Sequence, residues 1–359
     1  MNTLQEYKCP ACDGALSFDS SVQKMKCPYC DTELEVEALL ALDEAIAQEQ
    51  PSDYTWESQP DCQWTEDETK GLRTFVCKFC GGEIVGDEHT GATNCPFCDN
   101  PIVMAGNFSG ILRPDLVVPF KLDKKQAKEA YAKHLTKKPL LPKLFKAQNR
   151  IENIQGIYVP FWLFDTDVDA DIRYRATRVH TWSDANYNYT RTSYYSLLRA
   201  GRIAFDNVPV DGSSKIENDL MESIEPFDLK DGVDFQTAYL AGYLADKFDV
   251  EAETCKERAN QRIRTSTEEA FAATTSGYVT CTPTHTNIRL SDGKVRYALL
   301  PVWIMTTRYQ DKPYTFAMNG QTGKMVGNLP IDWAKFWMYL LSVGLGSGLL
   351  ISLIALLFA

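Results

Sequence analysis

Eight cysteines recur in two copies of one pattern near the start of the chain. In each copy, two Cys-x-x-Cys pairs are separated by fourteen residues. The first copy consists of Cys9, Cys12, Cys27 and Cys30, and the second of Cys77, Cys80, Cys95 and Cys98. Two such pairs supply four thiolates, which suit a tetrahedral zinc ion with Zn–S distances of ~2.3 Å. Four sulfur ligands leave no position for water or substrate, so the sequence predicts two structural Zn²⁺ sites and no catalytic metal.

The residues around the cysteines indicate a duplicated zinc ribbon. The copies align at an offset of 68 residues, which pairs KCPACDGAL with VCKFCGGEI and KCPYCDTELEV with NCPFCDNPIVM. Asp13, Asp31, Gly81 and Asp99 follow the second cysteine of the pairs and are of types that tolerate a left-handed backbone. Disulfide-bonded knots are the alternative, but they form in oxidising compartments. No signal-peptide pattern precedes the first pair, so we expect zinc.

The other end of the chain is a long apolar segment. Residues 336–359 contain no charged residue, and as a helix they would extend ~36 Å, enough for a hydrocarbon core ~30 Å thick. Aromatic side chains mark its start, as in an interfacial belt: Trp333, Trp337 and Tyr339. We therefore expect residues 333–359 to be a transmembrane tail anchor that contacts membrane lipid through 336–359. Basic residues on its N-terminal side and the reduced thiolates predict a single-pass membrane protein with the bulk of the chain in the cytoplasm.

A stripe of small residues lies within this segment. Gly344, Gly348 and Ser352 recur every four residues, a spacing that allows a second helix to approach closely. Helix pairing is one interpretation, and a helix without a partner is the other.

The formal net charge of −11 is unevenly distributed. Residues 35–70 hold eleven acidic residues and one lysine, whereas residues 105–150 hold eleven basic and three acidic residues. Nine lysines lie between residues 121 and 146. They form either a surface for anionic lipid or a solvated face that pairs with the acidic segment. Trp56 and Trp64 interrupt the acidic segment. They are either docking points onto a folded neighbour or incidental aromatic residues.

The middle of the chain is predicted to be an α+β body with an internal repeat. Apolar residues with helical spacing over 122–135, with Asp123 as N-cap, precede a β-rich run. A longer helical pattern over 250–273 precedes strands with a turn at 291–294. The strings YVPFWLF and LLPVWIM align at Pro160 and Pro301. The fold prediction is therefore two small zinc-ribbon β domains, a body of two related helix and antiparallel-sheet units, and a C-terminal transmembrane helix. The predicted division is a first ribbon at 1–34, an acidic helix and linker at 35–70, a second ribbon at 71–104, an α+β unit with a β insertion at 113–233, a second unit at 234–330 and the anchor at 333–359.

Catalytic patterns are lacking. Four histidines, His89, His134, His180 and His285, are scattered without metal-binding spacing. The NGQTGKM string lacks the spacing and the hydroxyl of a phosphate-binding loop and is better explained by a hairpin turn. Alternating aspartates in LFDTDVDADI indicate a solvated strand face or a divalent-cation site. We expect no enzymatic activity and free thiols at Cys62, Cys255 and Cys281.

The paired ribbons, the strings GIYVPFWLF, LLPVW, YLAGYLADKFDV and NGQTGK, and the apolar tail together resemble the bacterial membrane proteins described as transcription-factor-IIB-type zinc-ribbon proteins. The resemblance covers nearly the whole chain. It implies a protein encoded beside SPFH-domain proteins, associated with envelope stress, which recruits SPFH-domain or phage-shock-type scaffold proteins to the inner membrane.

The predicted function is therefore a tail-anchored adaptor whose ribbons dock protein partners. The alternative is a nucleic-acid-binding zinc-ribbon regulator or a replication-associated protein. Nucleic-acid affinity depends on neutralising phosphates with Lys and Arg. The first ribbon has three basic residues against five acidic ones, and the second has two against four. These charges argue against nucleic acid as a partner of the ribbons.

Overall fold

The computed structural model describes residues 7, 9, 12, 14–37, 39, 54, 56, 64–87, 94–100, 102–107, 112–136, 138–142, 145, 153–310 and 312–357. Within these ranges, the side chains of residues 66, 67, 87, 103–107, 308, 349, 350 and 352–357 are not described. The chain divides into two compact units. Unit 1 comprises Met1–Gln59, Phe164–Val208 and Lys256–Val295, and unit 2 comprises Pro60–Leu163, Pro209–Cys255 and Arg296–Ala359.

Strands dominate the described structure, which contains two sheets. A small antiparallel sheet consists of β1 (Ser17–Asp19), β2 (Lys24–Lys26) and β3 (Glu33–Leu34). The strands of the eleven-stranded sheet are β4 (Leu72–Val76), β5 (Glu83–Asp87), β6 (Val103–Asn107), β7 (Leu116–Val117), β8 (Gln155–Ser183), β9 (Asn188–Asp211), β10 (Val233–Asp234), β11 (Leu244–Asp246), β12 (Thr280–Tyr309), β13 (Lys312–Asn319) and β14 (Met325–Gly327).

The larger sheet is mixed rather than antiparallel. Its order is β10-β7-β12-β8-β11-β5-β4-β6, with β9 beside β8, and β13 joining β12 to β14. The β11–β8 and β12–β7 pairs are parallel, whereas the pairs β10–β7, β11–β5, β12–β13, β13–β14, β4–β5 and β4–β6 are antiparallel. The prediction of purely antiparallel sheets is therefore wrong. Parallel pairing requires a long crossover connection, and the strands of both parallel pairs are far apart in sequence.

Few helices occur among the described residues. They are α1 (Glu66–Thr69), α2 (Lys124–Thr136), α3 (Asn218–Ser223), α4 (Ala252–Ala273) and α5 (Trp333–Leu357), with two 3₁₀ turns at Leu229–Asp231 and Thr237–Leu240. The predicted helices at 122–135 and 250–273 correspond to α2 and α4. Asp123 caps α2 as expected, because its Oδ1 accepts from the Gln126 N–H at 2.8 Å and its own N–H donates to Gln126 Oε1 at 2.9 Å. Of the predicted helix at 35–50, most residues lie outside the described ranges.

An internal repeat in unit 2 is visible in its backbone hydrogen bonds. The Pro160 carbonyl accepts from the Gly212 N–H at 2.9 Å, and the Pro301 carbonyl accepts from the Gly320 N–H at 2.8 Å. Each glycine carbonyl in turn accepts two N–H groups from the segment just before a helix. Those donors are Asp249 and Val250 for Gly212, and Lys121 and Leu122 for Gly320. The two aligned Pro-containing strings therefore hold equivalent positions.

Two buried aromatic groups complete the repeat. Trp162 meets Phe248 with ring centroids 5.1 Å apart at 64°, and Trp303 meets Phe120 at 5.1 Å and 63°. Burial of such large rings supplies much of the free energy that fixes a core. In unit 1 the core lies between α4 and the strands and includes Val168, Ile172, Ile263 and Ile288.

The two tryptophans of the acidic segment dock onto folded neighbours. Trp56 meets Phe164 edge-on at 4.9 Å and donates its indole N–H to Asn260 Oδ1 at 3.0 Å. Trp64 meets Phe235 at 5.4 Å and donates to the Leu112 carbonyl at 2.8 Å. The docking interpretation is therefore confirmed for both.

The prediction of a turn at 291–294 is wrong. β12 continues through this sequence as one strand, and Asp292 has a left-handed φ of 54° within it. Aspartate tolerates this conformation, so the strand accommodates SDGK without reversing. Thr166 Oγ1 donates to the Ser291 carbonyl at 3.0 Å and ties the segment to β8.

Across the described residues, no helix combines the length and the hydropathy that a membrane crossing requires. This finding contradicts the predicted transmembrane tail anchor at 333–359 and the predicted inner-membrane location. The predicted lipid contact through 336–359 stays a prediction. The first turn of α5 is also tied to unit 2, since Lys335 Nζ donates to the Leu141 carbonyl at 2.7 Å.

Helix pairing through the small-residue stripe stays a prediction. A Cβ added at Gly344 or Gly348 would meet no atom within 4 Å. The side chain of Ser352 lies outside the described ones.

Candidate metal centres

The eight cysteines converge in two groups of four. Within each group all four sulfur atoms lie within 4.8 Å of one another, so each group could hold a metal ion. These are the four-cysteine groups that the sequence spacing predicts: Cys9, Cys12, Cys27 and Cys30, and Cys77, Cys80, Cys95 and Cys98. That the groups bind a metal stays a prediction.

The sulfur atoms form the same short pairs in both groups. Sγ–Sγ distances are 3.6 Å for Cys9–Cys30 and 3.5 Å for Cys12–Cys27. The equivalent distances are 3.5 Å for Cys77–Cys98 and 3.6 Å for Cys80–Cys95. Four sulfurs at ~2.3 Å from one tetrahedral ion would lie ~3.8 Å apart, whereas a disulfide has an S–S bond of ~2.05 Å. The eight thiols are unbonded to one another, and their spacing suits a shared ion.

A tight turn positions each cysteine pair. In all four pairs, the N–H of the first cysteine donates to the carbonyl five residues later, at 2.8 Å for Cys9, 2.9 Å for Cys27, 3.0 Å for Cys77 and 2.7 Å for Cys95. The residue after the second cysteine has a left-handed φ in three of these turns: 55° at Asp31, 70° at Gly81 and 60° at Asp99. The sequence expectation for these three residues is confirmed, while Asp13 lies outside the described residues.

Sequence reasoning missed one outer contact in each ribbon. Thr32 Oγ1 lies 3.1 Å from Cys30 Sγ, and Asn100 Nδ2 donates to Cys98 Sγ at 3.3 Å. The two polar residues are related by the same offset of 68 residues that relates the cysteines. A donor two residues after the fourth cysteine could have been found by extending the alignment of the copies. Such outer contacts orient ligands and tune their basicity.

Hydrogen bonds lower the pKa of one thiol in each group, which favours the thiolate form. Burial raises the pKa of Cys30, but the hydroxyl and backbone N–H of Thr32 outweigh it and lower the pKa to about 6. Burial likewise raises the pKa of Cys77, while the N–H groups of Cys80 and Phe79 and neighbouring thiols lower it to about 7. A thiolate near neutral pH is the form that a metal ion binds.

The remaining candidate residues do not gather into a site. Among the described residues, the groups of three or more His, Cys, Asp or Glu side chains that could hold a metal are the two cysteine groups alone. Asp169 instead pairs with Arg202 at 3.1 Å and with Arg289 at 3.4 Å. Neither Cys255, which is buried and donates to the Asp211 carbonyl at 3.5 Å, nor the half-buried Cys281 is in a disulfide. His89 and Cys62 lie outside the described residues.

The NGQTGK segment is a hairpin turn between β13 and β14. Asn319 Oδ1 accepts from the N–H groups of Gln321 and Thr322 at 2.8 and 3.0 Å. Asn319 Nδ2 donates to the Ile224 and Pro226 carbonyls at 3.1 and 3.0 Å. The side-chain amide is thus used within the fold, as the turn interpretation requires.

Comparison with known proteins places the chain in a family. It is 35% identical over 254 residues to the uncharacterized protein YdjG of Bacillus subtilis (strain 168), and the match covers 71% of this chain and 74% of YdjG. The chain belongs to the YdjG family. No family model matches the sequence, and no solved structure matches it.

Proposed function

We propose that the protein is a zinc-dependent adaptor that docks partner proteins through its two ribbons. Four thiolates in a tetrahedral arrangement are a soft ligand set that suits zinc. The closed coordination supports a structural role for the ion, which fixes the turn that carries each cysteine pair.

One observation carries the docking proposal: each ribbon exposes a large aromatic side chain between two of its cysteines. Tyr29, between Cys27 and Cys30, is 75% exposed, and Phe79, between Cys77 and Cys80, is 70% exposed. Aromatic side chains held on a rigid turn are typical anchors of protein interfaces, because they bury a large area at low conformational cost.

The two aromatics occupy different turns of their ribbons. At the offset of 68 residues, Tyr29 corresponds to Phe97, which packs against the main core of unit 2. Phe79 instead extends from the first turn of its ribbon. This difference supports two distinct docking surfaces rather than two copies of one.

The resemblance described above adds a partner class, namely SPFH-domain or phage-shock-type scaffold proteins. Purified members of both classes should bind the zinc-loaded chain in a pull-down or by interferometry. Replacing Phe79 or Tyr29 with serine should weaken that binding at least tenfold, as loss of an interface anchor does.

The matched control is Lys78→Ser, which alters the exposed neighbour of Phe79. Zinc content should be the same in all variants. If Phe79→Ser and Tyr29→Ser bind every tested scaffold protein as tightly as the unaltered chain does, the docking proposal is wrong.

A further inference from the structure

A two-stranded hairpin in unit 1 presents a continuous exposed surface. It is formed by the end of β8 and the start of β9, and every described residue from 178 to 192 is exposed. The Val279 N–H donates to the Thr177 carbonyl at 2.8 Å, and β12 begins at the next residue, Thr280. Residues 178–183 therefore continue β8 past the start of its neighbour β12.

The hairpin has two chemically different faces. The Asp184 N–H donates to the Tyr187 carbonyl at 2.9 Å and closes the turn, and Trp182 stacks on Tyr189 at 5.3 Å and 10°. Because side chains alternate along a strand, this register defines an aromatic face. It comprises Arg178, His180 and Trp182 on β8, and Tyr189, Arg191 and Tyr195 on β9. Tyr194 and Arg202 belong to the opposite face.

Neighbouring groups hold the rings of the aromatic face in place. His180 lies 5.4 Å from Trp182, and the Tyr189 hydroxyl donates to Asp184 Oδ2 at 2.8 Å. The guanidinium of Arg178 lies 5.4 Å from the Tyr195 ring and 4.7 Å from the Tyr278 ring. The surface is thus a row of ordered rings with cations between them.

The charge of the hairpin is opposite to that of the chain. Residues 175–202 contain five arginines and one aspartate, a formal charge of +4, in a chain whose net charge is −11. No carboxylate of the described residues forms an ion pair with Arg178 or Arg191, whereas Arg202 pairs with Asp169 at 3.1 Å. The aromatic face therefore carries two cations available to an external anion.

We propose that the aromatic face binds single-stranded nucleic acid. Exposed Trp and Tyr rings provide platforms on which bases stack, and arginines between them contact phosphates. An acidic peptide would pair with the arginines but leave the row of rings unused. The acidic charge of the zinc ribbons argues against nucleic acid as their own partner and does not apply to this surface.

The test is fluorescence anisotropy with the full-length, zinc-loaded protein and labelled oligodeoxythymidylate or oligouridylate of about 20 nucleotides, longer than one platform needs. Binding should weaken as salt rises, with a slope of log K against log salt of about −1.4 for two phosphate contacts. Trp182→Ser should weaken binding about 5- to 150-fold, the range for loss of one stacked base.

Adjacent residues on opposite faces supply matched controls. Tyr195→Ser should weaken binding, whereas Tyr194→Ser should leave it unchanged and Tyr195→Phe, which keeps the ring, should retain it. Arg191→Gln should reduce the salt slope by about 0.7, whereas Arg202→Gln should not. Circular dichroism and zinc content should be equal across the series.

Three outcomes would overturn the proposal. They are no binding of either oligonucleotide at low salt, equal effects of Tyr194→Ser and Tyr195→Ser, and competition by polyglutamate as effective as that by unlabelled oligonucleotide. The last result would assign the surface to an acidic peptide, including the acidic segment of another copy of the chain.

Discussion

The indole N–H groups of Trp162 and Trp303 donate equivalent hydrogen bonds, each to the segment that precedes the helix of the other repeat. Trp162, on β8, donates to the Val250 carbonyl at 2.8 Å, and Trp303, on β12, donates to the Leu122 carbonyl at 3.1 Å. Each carbonyl lies two residues before a helix, α4 or α2. Since α2 precedes β8 and α4 precedes β12, each helix start is tied to the strand of the other repeat.

Trp162→Phe and Trp303→Phe should therefore destabilise the protein to a similar extent. Each change keeps an aromatic ring but leaves a carbonyl without its donor, at a cost of ~1–3 kcal/mol. Urea unfolding followed by circular dichroism measures the effect. Trp182→Phe, at an exposed position on the hairpin, should change the stability by less than ~0.5 kcal/mol. A neutral result for one of the two buried tryptophans would contradict their equivalence.

How far the sequence predicted this fold depends on the range of each interaction. The cysteine turns and the Asp123–Gln126 cap involve residues within five positions, so their spacing was readable. The hydrogen bonds between the two repeats could not be predicted. Trp303 and Leu122 are 181 residues apart, and the alignment of two strings does not show which helix each string contacts. The aromatic face was also missed, because the alternation around NYNYTRTSYY predicts a strand but not which of its faces remains exposed.

Each four-cysteine group should bind one zinc ion. The reduced, zinc-replete protein should contain two per chain, and Cys27→Ser or Cys95→Ser should each remove one, because three thiolates no longer close the tetrahedron. Inductively coupled plasma mass spectrometry gives the stoichiometry. Cys281→Ser, at a free thiol outside both groups, should keep two ions. Fewer than two in the unaltered protein would refute the assignment.

The outer contacts of the sulfurs should tune metal affinity. Thr32→Val and Asn100→Leu each remove a polar contact to the fourth cysteine of a ribbon. Loss of an outer-shell contact typically weakens metal binding about 10- to 100-fold, and we expect this change with the stoichiometry intact. Competition with a chromophoric chelator measures it. Ser21→Ala, which removes an exposed hydrogen bond to Asp19 six or more residues from any cysteine, is the control, and unchanged affinity in both variants would exclude a tuning role.

A buried carboxyl should make stability fall as pH rises toward neutrality. Asp246, at the end of β11, is 2% exposed. Burial raises its pKa from 3.8 to about 7, although the Ser213 hydroxyl donates to it. The native state therefore holds a proton that the unfolded chain has lost, and its stability relative to the unfolded state decreases up to pH ~7. Between about pH 5.5 and 8, this loss amounts to about 2 kcal/mol, from linkage of the two pKa values.

Asp246→Asn should remove that dependence, so that its stability relative to the unaltered protein rises by about 2 kcal/mol over the same interval. Denaturant unfolding at each pH, with zinc content matched, measures the difference. Glu68 is the control of opposite sign. Burial raises its pKa, but hydrogen bonds from the Thr65 N–H and hydroxyl and from the Arg113 guanidinium outweigh that effect and lower it. Its contribution to stability is complete above its ordinary pKa and is lost only as pH falls through the lowered value, so Glu68→Gln should cost the same at both ends of the interval. If the difference between Asp246→Asn and the unaltered protein does not change with pH, Asp246 is ionised in the folded chain and the burial argument is wrong.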